Sequence, residues 1–134
     1  MIVIDTSAII AILKGETEAE AFATAITEAE RCFMSAVTLF EASMVVIGRG
    51  AAEGADALDA LIARRRIEMV PFDAELARAS RQAFVRFGKG RHPAGLNFGD
   101  CVSYALAKTR ALPLLYKGGD FAKTDVVSAL AAGA

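Results

Sequence analysis

Short apolar runs alternating with longer stretches of helical periodicity constrain this chain more than any other feature. Residues 1–4 (Met-Ile-Val-Ile) are apolar on both sides, the pattern of a strand at the centre of a parallel sheet. Residues 31–35, 67–72 and 113–116 read as three further strands. Between them lie helix-like segments: one capped by Ser7 and ended by Gly15, one over 17–29, then 36–48, 52–65, 73–87 and 97–110. Thr17 and Glu20 have the spacing of a capping box, Asp73 caps its helix, and Leu76, Ala79, Ala83 and Phe84 form that helix's apolar stripe. Residues 88–96 are a loop rich in Gly, Lys and Arg, and a short element runs from Thr124 to the end. Strands separated by helices make an α/β fold, here three α/β/α layers around a parallel sheet of four to five strands. In such sheets ligands bind beyond the carboxyl ends of the strands.

At 134 residues the chain makes a single domain, residues 1–134, long enough for a full core. Its apolar runs are shorter than the about 20 residues a membrane-spanning helix needs, and no basic region precedes the first of them. Cys32 and Cys101 stand alone in apolar contexts, as buried thiols of a reduced, cytoplasmic compartment do.

Four acids stand where structure alone gives little reason for them. Asp5 ends the first strand, Glu41 sits inside an apolar helix, Asp100 opens the helix over 97–110, and Asp120 follows the last strand and the turn Lys117-Gly118-Gly119. Helical neighbours of Glu41 include no Lys or Arg, so its partner must come from elsewhere in the fold. Capping is the structural alternative for Asp5 and Asp100, although Ser7 is available for the first. For Asp120 the alternative is a plain turn. Carboxylates that converge repel one another unless a divalent cation holds them. Such a set suits metal-assisted attack on a phosphodiester.

Net charge is −1, but residues 64–92 hold eight of the fifteen Lys and Arg against three acids, a local basic face able to steer a polyanion or merely to stay solvated. The single histidine, His92, lies in the exposed-looking Gly90-Arg91-His92-Pro93, which does not support a histidine base or a Ser-His-Asp triad. Neither GxGxxG nor GxxxxGK[ST] occurs.

Taken together these residues resemble a PIN domain, and specifically the VapC-type toxins of VapBC toxin–antitoxin systems. Val3-Ile4-Asp5-Thr6-Ser7-Ala8 is similar to the family's first motif, and Ser35 to Ala42, with Glu41, to its second. The run from Gly90 to Cys101, with Gly-Leu-Asn-Phe-Gly-Asp-Cys at its end, is similar to the third, and Leu114 to Phe121 to the fourth. The resemblance implies a PIN-like fold and a Mg²⁺- or Mn²⁺-dependent endoribonuclease with Asp5, Glu41, Asp100 and Asp120 as its acidic quartet. Asp5 and Asp100 are then direct metal ligands, Asp120 a ligand directly or through water, and Glu41 the group that orients a water or holds a second ion. Thr6 and Ser7 match hydroxyl positions near the metal.

Gly119 departs from the family pattern, where Asp or Asn usually precedes the fourth acid. This leaves a rival reading, a catalytically weak or inactive PIN-like binding module acting through its partner. A phosphatase using Asp5 as nucleophile is disfavoured, since the second acid such chemistry needs is replaced by Ser7. Expected partners are RNA, gripped through Arg86, Lys89 and Arg91, and a VapB-type antitoxin. The antitoxin's apolar helix is expected in a groove beside helix 17–29, with a basic residue reaching into the acids. A homodimer is expected too, because helices 36–48 and 97–110 are apolar around most of their circumference.

Overall fold

The first strand is the pivot of the sheet. β1 (Ile2–Ile4) pairs in parallel with β2 (Cys32–Ser35) on one side and with β4 (Leu114–Leu115) on the other, and β3 (Glu68–Val70) extends the sheet beyond β2. The computed structural model describes residues 1–48 and 53–130. In order the strands run β3-β2-β1-β4. Chain order therefore reverses at β1, and the crevice between the carboxyl ends of β1 and β4 is the topological switch point where α/β sheets bind ligands.

Side-chain alternation along these strands builds two cores. Val3, Phe33 and Leu114 point to one face of the sheet, where they pack with Leu96, Val102 and Leu106. Ile2, Ile4, Met34 and Leu115 point to the other and meet Ile9, Phe22, Ile26, Leu58 and Leu61. Helices α5 (Ala74–Phe87) and α6 (Phe98–Thr109) supply the first face, whereas α1 (Thr6–Lys14), α2 (Ala19–Glu28) and α4 (Glu53–Arg64) supply the second. Helix α3 (Ala36–Gly48) touches α1, α4 and α6. Three layers around a parallel sheet of four strands match the expected architecture. Both cysteines are buried free thiols, and burial pushes Cys101 up to about 11. Among the described residues no helix is long and apolar enough to cross a membrane.

Local expectations fail where tertiary contacts decide. Asp5, not Ser7, is the N-cap of α1, accepting from Ser7 N at 3.0 Å, while Gly15 closes the helix in the left-handed region at φ 64° as expected. The capping box of Thr17 and Glu20 does not form: α2 starts at Ala19 and has no side-chain cap, and Glu18 at its N-cap position pairs with Lys117 instead. Asp73 does cap α5 through Leu76 N at 2.9 Å, but Phe84 is exposed and Phe87 takes its place in the core. After β4 the chain forms one turn of 3-10 helix (Phe121–Lys123), with Ser128 then bridging to Leu114. The expected start of the fourth helix at Ala52 and the end of the final element, 131–134, lie outside the described residues.

The apolar surfaces of α3 and α6 also part ways. Residues Cys101 to Ala107 of α6 are all buried, covered by α5 and the sheet, so this helix has no unpartnered apolar side there. On α3, Phe40, Met44 and Ile47 are 66%, 54% and 52% exposed. They recur four and then three positions apart, one stripe of the helix.

Candidate metal centre

Asp5 leaves β1 with its N–H bonded to Leu115 O at 3.0 Å, so its backbone is fixed at the switch point by the strand on the far side of the crevice. The side chain is 3% exposed. One oxygen, Oδ2, accepts from both Ser7 N and Ser7 Oγ, the latter at 2.7 Å. The other, Oδ1, is buried with no hydrogen-bond partner and is the one such side-chain atom among the described residues. An orphaned carboxylate oxygen is costly to bury, by about 1–3 kcal/mol or more, unless something positive meets it. A carboxylate can thus cap a helix with one oxygen and offer the other to a cation.

The neighbouring hydroxyls are tied into the same point. Thr6 Oγ1 donates to Glu41 Oε1, giving Glu41 the partner its own helix lacks. Ser7 Oγ, having donated to Asp5, accepts from Lys117 N at 2.9 Å and so fastens the loop after β4 to the first acid.

Asp100 stands at the third position of α6, in a reciprocal capping box: its Oδ2 accepts from Asn97 N at 3.1 Å, and Asn97 Oδ1 accepts from Asp100 N at 2.9 Å. Here too one carboxylate oxygen serves the helix. Burial pushes Asp100 up to about 6, against the Asn97 hydrogen bond, with the charges of Asp5, Glu41 and Asp120 adding to the rise. Glu41 is likewise raised, first by burial and then by Asp5, with the Thr6 hydroxyl opposing. Asp100 therefore feels the other three acids, and Glu41 feels Asp5.

Asp5, Thr6, Ser7, Glu41 and Asp100 line a cleft of about 510 Å³, together with Glu16, Lys117 and Gly118. Asp120 is exposed at the start of the 3-10 turn, outside this wall, and its side chain makes no cap. Among the described residues no three carboxylates, imidazoles or thiols are drawn together tightly enough to enclose an ion unaided. Mg²⁺ does not ask for that: it binds through one or two carboxylates and keeps its waters. An all-oxygen donor set with an unpartnered buried acceptor fits Mg²⁺ or Mn²⁺ and does not fit a softer metal.

Of the three basic residues expected to grip RNA, none lines the cleft. Arg86 pairs with Asp125 at 3.3 Å, and Arg91 Nε donates to Val85 O at 3.1 Å. Lys89 is exposed on the loop that leads into Asn97 and Asp100. His92 is half-buried, its Nδ1 accepting from Ala94 N at 3.0 Å and its ring edge against Phe87, so it organises this loop. Two residues of the site escape sequence reasoning. Lys117 reads as part of a turn, yet it is the cation of the cleft wall. Gly99 reads as part of a motif, yet its reason is steric: a Cβ there would fall on the Glu41 carboxylate.

A four-stranded parallel sheet carrying an acidic cleft at its switch point agrees with the profile of the PIN domain, which matches residues 2–127; the chain belongs to the PIN-domain family. Within that family the curated relatives it matches include VapC ribonucleases. It is 45% identical over 126 residues to the ribonuclease VapC of Mycolicibacterium smegmatis, covering 94% of this chain and 98% of that one. With the ribonuclease VapC28 of Mycobacterium tuberculosis it shares 46% over 129 residues, 96% and 97% of the two chains. The fold is that of Mycobacterium tuberculosis VapC20, described as a sarcin–ricin loop cleaving toxin, at a TM-score of 0.78 and 19% identity over 98% of this chain and 100% of that one. A toxin–antitoxin complex from Klebsiella pneumoniae aligns at a TM-score of 0.73 and 19% identity, covering 95% of each chain.

Proposed function

We propose that this protein is the toxin of a VapBC-type pair, a cytoplasmic endoribonuclease that depends on Mg²⁺ or Mn²⁺. The observation that carries the reading is Asp5 Oδ1, a buried acceptor without a donor, on a residue that lines the cleft together with Glu16, Glu41 and Asp100. The relatives' ribonuclease names supply the reaction class.

Asp5 and Asp100 would hold the cation, since each commits only one carboxylate oxygen to its helix cap, and Asp120 would join them directly or through water. When bound, the ion neutralises charge on the phosphoryl oxygens and acidifies water. The chain's own residues do the rest. Thr6 fixes the Glu41 carboxylate by its hydroxyl, and Glu41 orients the attacking water and takes up its proton. Ser7 keeps Asp5 and the loop after β4 in register. Lys89 and Arg91, with Arg86 when Asp125 releases it, add backbone affinity without choosing a sequence.

Two partners complete the reading. A groove of about 710 Å³ runs beside α2, walled by Ala21, Ala25, Ala29, Ala129 and Leu130 and rimmed by Glu20 and Glu28. Its small apolar floor and acidic rim suit the apolar face of an antitoxin helix with basic flanks. The exposed Phe40, Met44 and Ile47 stripe of α3 is the surface we assign to a homodimer.

The experiment is expression in a bacterial host. The chain should arrest growth, the antitoxin encoded beside it should relieve the arrest, and Asp100→Asn should be harmless at equal protein level. Arrest by Asp100→Asn as strong as by the unsubstituted chain points instead to a module acting by binding alone.

A further inference from the structure

Lys117 is the single cation in a cleft wall that also carries Asp5, Glu16, Glu41 and Asp100. Its backbone is not free to wander: Lys117 N donates to Ser7 Oγ at 2.9 Å, and that hydroxyl donates to Asp5 Oδ2 at 2.7 Å. The ammonium thus stands on a mount shared with the buried acid at the switch point. It is held by two carboxylates from the turn between α1 and α2, Glu16 Oε2 at 3.3 Å and Glu18 Oε2 at 3.2 Å.

These are weak restraints. The Lys117 side chain is 36% exposed and its partners 28% and 36%, and ion pairs at such positions are worth about 0.2–1 kcal/mol each. The partners meet the lysine as a point charge, without the two-pronged geometry that would hold an arginine. A phosphate drawn into the cleft by a cation offers the ammonium a stronger charge-assisted acceptor within the same volume. Gly118 and Gly119 follow directly, and neither has a neighbour within 4 Å of where a side chain would begin, so the approach is open.

Resting on the ribonuclease reading above, we propose that Lys117 is a phosphate-binding residue of this site, parked on Glu16 and Glu18 and transferred to an RNA phosphate when substrate enters. It positions the phosphate that Asp5 and Asp100 flank; the loop residues Lys89 and Arg91 grip the strand farther out. The competing account makes Lys117 a strap that merely ties the loop after β4 to the α1–α2 turn.

Lys117→Met and Lys117→Arg separate the two, each made in a Glu41→Gln background so that RNA binding is read without cleavage. With saturating Mn²⁺ and a short single-stranded RNA, Lys117→Met should bind several-fold more weakly. The slope of log Kd against log salt should be less steep by about 0.7, the share of one single-strand phosphate contact. Lys117→Arg should restore both. Without RNA, Lys117→Met should bind Mn²⁺ about threefold more tightly, since a like charge has left the cleft. An unchanged salt slope overturns the proposal, as does parallel weakening of Mn²⁺ and RNA binding, which is what a lost strap would cause. Failure of the ribonuclease reading registers separately, as absence of Mn²⁺-dependent cleavage by the chain with Glu41 and Lys117 intact.

Discussion

Gly99 leaves open the space that the Glu41 carboxylate occupies. A Cβ at position 99 would overlap both Glu41 oxygens and the carbon between them. Glu41 is at the same time held by the Thr6 hydroxyl, so it cannot yield without leaving its place in the cleft. Gly99→Ala should therefore cost little stability, because the displaced group is the end of a flexible side chain. A loss of ~1 kcal/mol would lower Tm by about 4 °C. Cleavage, by contrast, should fall about a hundredfold, the usual weight of a positioned acid–base group. Rates and melts measured side by side decide this: a variant that melts much earlier, or that cleaves as fast, contradicts the assignment of Glu41.

Asp5→Asn and Asp100→Asn should both abolish cleavage while leaving Tm in EDTA unchanged or raised. Asparagine keeps an oxygen for the contact that Asp5 makes with Ser7 and for the one that Asp100 makes with Asn97. It removes a like charge from a cleft in which neighbouring carboxylates add to the raised pKa of Asp100 and of Glu41. Asp5→Ala has no such oxygen and should lose ~1 kcal/mol with the cap. Thermal melts of the metal-free variants test this, and a large drop for both asparagine variants would make these acids structural.

The same cluster predicts a pH dependence. In the folded chain Asp100 is raised from 3.8 to about 6, mainly by burial, and Glu41 moves the same way. A carboxyl raised on folding binds its proton more tightly in the native state. Its contribution to stability is then full at low pH, is lost as pH rises through about 6, and is flat above that. Metal-free protein should accordingly show a declining Tm between about pH 4 and 6 relative to Asp100→Asn. A difference between the two proteins that does not change with pH would mean that Asp100 is not in an acidic, desolvated cleft.

Gly119 is the family departure, and the fold has space to reverse it. No atom lies within 4 Å of a Cβ placed there, and its backbone is outside the left-handed region. Gly119→Asp should fold normally and place a carboxylate next to Asp120, tightening Mn²⁺ binding or raising cleavage at limiting Mg²⁺. Identical metal titrations for the two proteins would show the position to be without effect.

Much of this was legible in the chain because it rests on local pattern. The alternation of strands and helices, the cap at Asp73, the closing Gly15 and the placement of Asp5 beyond β1 all follow from period and residue type. What was not legible depends on contacts between distant segments. Asp5 could be weighed as a cap or as a ligand, but not as both; the two oxygens divide the roles only once Ser7 and the burial of Oδ1 are known. Helix α6 reads as apolar all round, and periodicity cannot show that α5 and the sheet already bury Cys101 to Ala107. Lys117 looks like a turn residue because Glu16 and Glu18 lie far away in sequence.

The most direct measurement is cleavage of a single-stranded RNA by purified, antitoxin-free protein across a Mn²⁺ and Mg²⁺ titration. The same preparation should be assayed in excess EDTA, and Asp5→Asn and Asp100→Asn carried through the same purification. The account predicts cleavage that rises with metal, stops in EDTA and is absent from both variants. Cleavage that persists in EDTA in the unsubstituted protein and is missing from a mock purification would contradict it.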